Sequence, residues 1–142
     1  MKSYLVFNLN NKHIWSADII QVQDFFTQFN ISETLKNNIL QRINTEINFE
    51  LTVSELQQLK PALEEKIDTL VVDVNFNPFK ERLRRLYPLQ YSGDPFIWNG
   101  ITYYLYVKTN PIDSQIRRVN SFLAHIKEFI NQNESMRFTF KN

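Results

Sequence analysis

Residues 96–108 read FIWNGITYYLYVK and contain the strongest hairpin signal in the chain. Asn99 and Gly100 tolerate the positive φ that both central positions of a type I′ turn require, so they predict a tight turn between two strands. Along the second strand, apolar and aromatic side chains occupy most positions on both faces. Because such a strand suits a covered sheet, we expect this hairpin to be central to the sheet, with Tyr103, Leu105 and Val107 largely buried.

The first third of the chain predicts a strand pair followed by a helix. The strands cover residues 4–9 and 12–15, where β-branched and aromatic residues are frequent. Ser16 is the expected N-cap of a helix over residues 17–29, because its hydroxyl can accept a hydrogen bond from a backbone N–H in the first turn.

Two further helices are predicted from capping signals. Ser32 is the expected cap of a second helix, whose apolar face recurs every four residues through Leu35, Ile39, Ile43 and Ile47. Thr52 and Glu55 have the spacing of a capping box, which predicts the start of a third helix. Pro61 should kink or split that helix, since proline disfavours helical backbone in the residue before it.

The second half of the chain continues to alternate between strands and helices. Residues 70–76 alternate like a strand, residues 79–86 suit a short basic helix, and residues 88–95 form a loop. Pro111 suits the first position of the longest helix, whose apolar stripe includes Ile116, Val119, Leu123 and Ile126. Residues 136–141 alternate as a final strand. The whole pattern predicts an α+β fold in which a mainly antiparallel sheet, including the 96–108 hairpin, packs against helices.

Composition limits the classes of function. The chain has 142 residues, which favours a single domain over residues 1–142, and it has no cysteine, which excludes thiolate chemistry. It has only 2 glycines, so the glycine-rich loops that cradle phosphates are missing and no cofactor is expected. No apolar run approaches the roughly 18 residues that a membrane span needs. We therefore expect a cytoplasmic protein that does not contact the membrane.

Positive charge is concentrated in the second half of the chain, where residues 78–142 carry ten lysine or arginine residues against five acidic ones. The candidate binding residues are Lys80, Arg82, Arg84, Arg85, Tyr87, Tyr91, Arg117 and Arg118. Arginine and tyrosine are frequent hot-spot residues of protein interfaces. Basic and aromatic side chains also suit nucleic acid, since cations neutralise phosphates and rings stack on bases. A third interpretation is an amphipathic helix with its arginines in solvent. Its apolar side would consist of Phe79, Leu83 and Leu86.

Catalytic and metal motifs are weak. Arg118 and His125 are seven residues apart on the predicted long helix and so lie on one face, a spacing that resembles the ribonuclease motif of HEPN domains. That resemblance covers these two residues and implies RNA cleavage without a metal. Glu64 and Lys66, with Asp73 nearby, form a partial match to magnesium-dependent nucleases of the PD-(D/E)xK type. With two histidines and no cysteine, no metal site is expected.

These observations favour a small non-enzymatic protein that binds another protein, as an inhibitor, an immunity protein, an adaptor or an assembly component. The partner's identity is not encoded in any motif, and the composition is equally compatible with a homo-oligomer. The alternative is a nucleic-acid-binding protein that uses the basic C-terminal half, and the third hypothesis is a ribonuclease built on Arg118 and His125.

Overall fold

The computed structural model describes residues 1–76, 85–86, 95–105 and 111–142. The elements within these residues are β1 (Ser3–Phe7), β2 (His13–Asp18), α1 (Ile19–Thr27), α2 (Glu33–Asn44), β3 (Phe49–Leu51), α3 (Val53–Val71), β4 (Phe96–Trp98), β5 (Ile101–Tyr103), α4 (Pro111–Asn131) and β6 (Met136–Lys141). All strand pairs are antiparallel, which confirms the predicted α+β class.

The chain divides into two compact units, which are Met1–Glu64 with Phe122–Asn142, and Glu65–Ser121. The single domain predicted over residues 1–142 stays a prediction.

The first unit contains a four-stranded sheet in the order β2-β1-β6-β3. Tyr4 and Val6 of β1 and Phe138 of β6 lie on its inner face and are fully buried. Aromatic rings from α1 and α4 cover this face, since Phe26 of α1 contacts both Phe122 and Phe138. The opposite face carries Ser3, Arg137 and Thr139 together with Leu5 and Phe7, and all five are at least partly exposed. One buried face and one partly exposed face is the usual pattern of an antiparallel sheet covered on one side.

Local capping signals explain where the helices begin. The hydroxyl of Ser32 accepts a hydrogen bond from the Leu35 N–H, as predicted. The predicted capping box also forms, because Thr52 Oγ1 accepts from the Glu55 N–H and Glu55 Oε1 accepts from the Thr52 N–H. The predicted Ser16 cap is wrong, since β2 extends to Asp18, which caps α1 through a reciprocal pair of hydrogen bonds with Gln21.

Three predicted elements differ from the structure. Residues 70–76 are not a strand, because α3 continues to Val71 and a turn follows, in which the Asn75 N–H donates to Asp73 Oδ1. Pro61 lies inside a continuous α3 and does not split it. Ile47 does not extend the apolar face of α2, which ends at Asn44, and its side chain is exposed. The short strand β3 follows Ile47 and was not predicted.

The second unit contains the predicted hairpin as a separate two-stranded sheet, β4-β5. Asn99 and Gly100 have φ of 51° and 77°, so both central positions of the turn have the predicted positive φ. The expectation that this hairpin is central to the sheet is wrong, because among the described strands it pairs only with itself. Leu105 is buried and Tyr103 is half-buried, while Val107 lies outside the described residues.

The apolar stripe of α4 is confirmed. Ile116, Val119 and Ile126 are fully buried and Leu123 nearly so. The predicted final strand, β6, is also present as Met136–Lys141 and pairs with both β1 and β3. Among the residues that the structure describes, no helix is long and apolar enough to cross a membrane.

Candidate functional site

Most of the predicted basic cluster lies outside the described residues, namely Lys80, Arg82, Arg84, Tyr87 and Tyr91. Arg85 is described and exposed. Leu86 beside it is helical and 62% exposed, so its expected inward orientation in an amphipathic helix is wrong. Arg117 and Arg118 of α4 are also exposed. The second unit therefore offers at least three exposed arginines.

In the described part of the chain, the residues of the catalytic hypotheses do not come together as a site. Arg118 is exposed, whereas His125 is half-buried and its Nδ1 lies 3.8 Å from Glu128 Oε2. His13 is a surface residue, and its ring packs on that of Phe7. Glu64 pairs with Lys60 one helical turn away on the same face of α3. Within the described ranges, no three residues of the histidine, cysteine, aspartate or glutamate types gather closely enough to hold a metal ion.

The turn between β4 and β5 forms the first candidate site, which we call the hairpin tip (residues 97–101). Ile97 is 64% exposed and Ile101 is 54% exposed. Because Trp98 opposes Ile101 across the hairpin, those two side chains share one face, and Ile97 lies on the other. The hairpin tip thus presents a large aliphatic side chain to solvent on each face.

A single carboxylate holds the hairpin tip in place. Asp68 Oδ1, on α3, accepts a hydrogen bond of 2.7 Å from the Trp98 indole N–H and one of 3.3 Å from the Asn99 amide. At the base of the hairpin, the rings of Phe96 and Tyr103 lie against each other, and Phe76 meets the edge of Tyr103. The aromatic rings are therefore used inside the second unit, whereas Ile101 on the same face and Ile97 on the other face remain exposed.

More apolar surface lies elsewhere in the second unit. Val72 and Val74, in the turn after α3, are 78% and 96% exposed. Isolated exposed apolar residues are common on soluble proteins, but several in one small unit are typical of an interaction surface.

The second candidate site is a polar groove in the first unit, with a volume of about 890 Å³. One wall is the turn between β1 and β2, with Phe7 and Leu9, and the other is the C-terminal end of α4 with the turn that follows. Arg137 and Thr139, from the outer face of β6, form the floor. Five amide side chains line the groove, those of Asn8, Asn10, Asn11, Asn131 and Gln132.

Each outer strand of the main sheet has a backbone group that a side chain already binds. At the β3 edge, Arg42 Nη1 donates to the Glu50 carbonyl over 3.1 Å. At the β2 edge, the Asp18 N–H is used by Gln21, and a bulge interrupts the register opposite Val6 and Phe7. Occupied backbone groups and bulges are common protections against strand addition.

Sequence reasoning missed both candidate sites. Ile97 lies in a hairpin whose sequence pattern predicts a covered strand pair. The polar groove joins residues that are more than a hundred positions apart, and amide side chains carry no motif. No protein-family model, curated protein sequence or solved structure matches this chain.

Proposed function

We propose that this is a cytoplasmic, non-enzymatic protein that binds another protein through the hairpin tip, as an inhibitor, an immunity protein, an adaptor or an assembly component. The observation that supports this proposal is the exposure of Ile97 and Ile101 on a hairpin whose polar tip groups are bound to Asp68. Fully burying one isoleucine side chain contributes about 1.5–3 kcal/mol, so a partner that covers both would gain substantially.

The anchoring of the hairpin tip also favours binding. Association costs free energy when loops must be ordered, and preorganised segments lose less. The two hydrogen bonds to Asp68 and the positive φ of Asn99 and Gly100 fix the tip before a partner arrives. The same unit carries exposed Arg85, and arginine is one of the residue types enriched in protein interfaces.

Nucleic acid is the second candidate partner, and the exposed arginines of the second unit favour it. Phosphate contacts release counterions, so affinity should fall with salt by a log–log slope of about 0.7–0.9 per phosphate neutralised. Titration of labelled RNA and DNA oligomers at two salt concentrations tests this alternative, with an Arg117→Glu, Arg118→Glu variant beside the parent. Saturable binding at physiological salt that the variant loses would favour nucleic acid over protein.

The protein-binding proposal is tested by co-purification of the tagged protein from its source cells, with two matched variants. Ile97→Asp places a charge on the hairpin tip. Ile47→Asp makes the same change in the first unit, at a side chain that is 62% exposed and so nearly as exposed as Ile97. We expect a stoichiometric partner that the parent and Ile47→Asp retain and Ile97→Asp loses. Equal retention by both variants, or no stoichiometric partner of the parent, would contradict the proposal.

A further inference from the structure

We infer that the polar groove of the first unit is a binding site for a neutral saccharide. This site is separate from the protein interface proposed above and does not depend on it. Five amide side chains line the groove, and four of them have no hydrogen-bond partner within the protein.

The two walls of the groove satisfy their own backbone groups. In the turn between β1 and β2, Asn8 Oδ1 accepts hydrogen bonds from the N–H groups of Asn10 and Lys12, at 2.8 and 2.9 Å. After α4, Asn133 adopts a φ of 54°, and the Glu134 N–H donates to the Phe129 carbonyl over 2.9 Å. Both walls are thus closed turns that keep their shape without a ligand.

The side-chain amides on these walls have no such partners. Asn10, Asn11, Asn131 and Gln132 are exposed to solvent, and within the described ranges their side chains form no hydrogen bond with the protein, so a ligand would replace water on them. Each amide offers one acceptor oxygen and two N–H donors. A hydroxyl group both donates and accepts, so a ligand rich in hydroxyl groups can match both halves of each amide.

Charged ligands fit this lining less well. Glu128 and Glu134 line the groove against one cation, Arg137, whose Nε already lies 3.4 Å from Glu50 Oε1. The negative C-terminal end of the α4 dipole lies beside the two glutamates, so an anion such as phosphate is disfavoured. An ammonium ligand only donates hydrogen bonds, so it would leave the amide N–H groups unmatched. A neutral polyol avoids both penalties.

An aromatic ring completes the fit. The Phe7 side chain is 36% exposed at the wall of the groove, and the ring of His13 supports it at a centroid distance of 5.9 Å. The face of an aromatic ring is electron-rich and attracts the C–H groups that line one side of a sugar ring. The groove volume of about 890 Å³ falls within the roughly 300–1,000 Å³ of small-molecule sites.

The test is a titration of the isotope-labelled full chain, followed by nuclear magnetic resonance of the side-chain NH₂ groups. The probes are maltotriose, cellotriose, mannotriose and chitotriose, with spermidine and inorganic phosphate as charged comparisons. We expect at least one trisaccharide to shift the amide signals of Asn131 and Gln132 saturably at millimolar concentration. No saturable shift with any trisaccharide, or tighter binding of spermidine or phosphate, would overturn the inference.

A pair of double variants ties the binding to the groove. Asn131→Ala with Gln132→Ala removes two amides from the groove, whereas Asn38→Ala with Gln41→Ala removes two exposed amides from α2. Losing two hydrogen bonds of about 0.5–1.5 kcal/mol each should weaken binding about fivefold or more. The α2 variant should bind like the parent, and an equal loss in both variants would overturn the assignment. Circular dichroism of each variant establishes that it is folded.

Discussion

The guanidinium of Arg42 and the carboxylate of Glu55 form two parallel hydrogen bonds, Nη1 to Oε1 at 2.8 Å and Nη2 to Oε2 at 2.7 Å. Arg42 lies on α2 and Glu55 in the first turn of α3, so the pair joins two helices of the first unit. The same groups also close the β3 edge and complete the capping box of α3, through the Glu50 carbonyl and the Thr52 N–H. One ion pair therefore holds three neighbouring elements in register.

The Arg42–Glu55 pair predicts a loss of stability in acid. Burial alone would raise the pKa of Glu55, but the hydrogen bonds from Arg42 and Thr52 outweigh it and hold the pKa below its ordinary value of 4.5. A carboxyl group whose pKa is lowered by folding stabilises the folded state at every pH above its unfolded-state pKa. This stabilisation is lost as the pH falls through its folded-state pKa.

Replacing the carboxylate tests this prediction. Glu55→Gln should lower the free energy of unfolding by about 1–3 kcal/mol at neutral pH, because hydrogen bonds to a charged group are lost. Urea titrations of parent and variant at neutral pH and below pH 4.5 measure the difference. The gap should shrink in acid, and a gap that does not change with pH would show that the pair does not titrate as described.

The apolar stripe of α4 predicts a large cost for cavity formation. Leu123 is 1% exposed, so Leu123→Ala should lower the free energy of unfolding by about 2–5 kcal/mol. Ile20→Ala is the control, since Ile20 is 68% exposed on α1 and its truncation should cost well under that amount. A loss below about 1 kcal/mol for Leu123→Ala would mean that the site is not well packed.

The turn after α4 predicts that glycine and alanine at position 133 have opposite effects on stability. Asn133 has a φ of 54°, a region that glycine enters without a steric penalty and alanine does not. Asn133→Gly should keep or raise the melting temperature. Asn133→Ala should lower it, with a loss of about 1 kcal/mol in the free energy of unfolding. Identical melting temperatures for the two variants would contradict the left-handed conformation.

The anchor of the hairpin tip predicts a local change. Asp68→Ala removes the acceptor of the Trp98 indole N–H, so that proton should exchange with solvent faster. The indole N–H of Trp15, in the first unit, gives an internal reference in the same spectrum, and Asp24→Ala is a matched control at an exposed aspartate of α1. Unchanged exchange at Trp98 would indicate that the hydrogen bond to Asp68 does not hold the hairpin tip.

Features fixed by a few neighbouring residues were predictable from the sequence. The hydrogen bonds of Ser32 and the Thr52–Glu55 box depend on positions three residues apart, and the turn at Asn99 and Gly100 depends on their tolerance of positive φ. The apolar stripe of α4 was also predictable, because regular spacing over about six turns indicates a helix and not a strand.

Features that depend on distant partners were not predictable. Residues 70–76 have strand-like alternation, but Leu70 and Val71 complete α3, and Asp73 closes a turn that leaves Val72 and Val74 in solvent. The strand β3 has only 3 residues and exists because β6 pairs with it from more than eighty positions away. The polar groove and the exposure of Ile97 likewise arise only when separate segments meet.

The central claim, that the hairpin tip contacts a protein partner, is tested most directly by site-specific photo-crosslinking in the source cells. A photoreactive amino acid replaces Ile97 in one form of the protein and Ile47 in the other, which are exposed to almost the same extent. We expect a discrete crosslinked product from position 97 that excess parent protein abolishes and excess Ile97→Asp protein does not. Position 47 should give no such product. Equal products from both positions, or none from position 97, would contradict the claim.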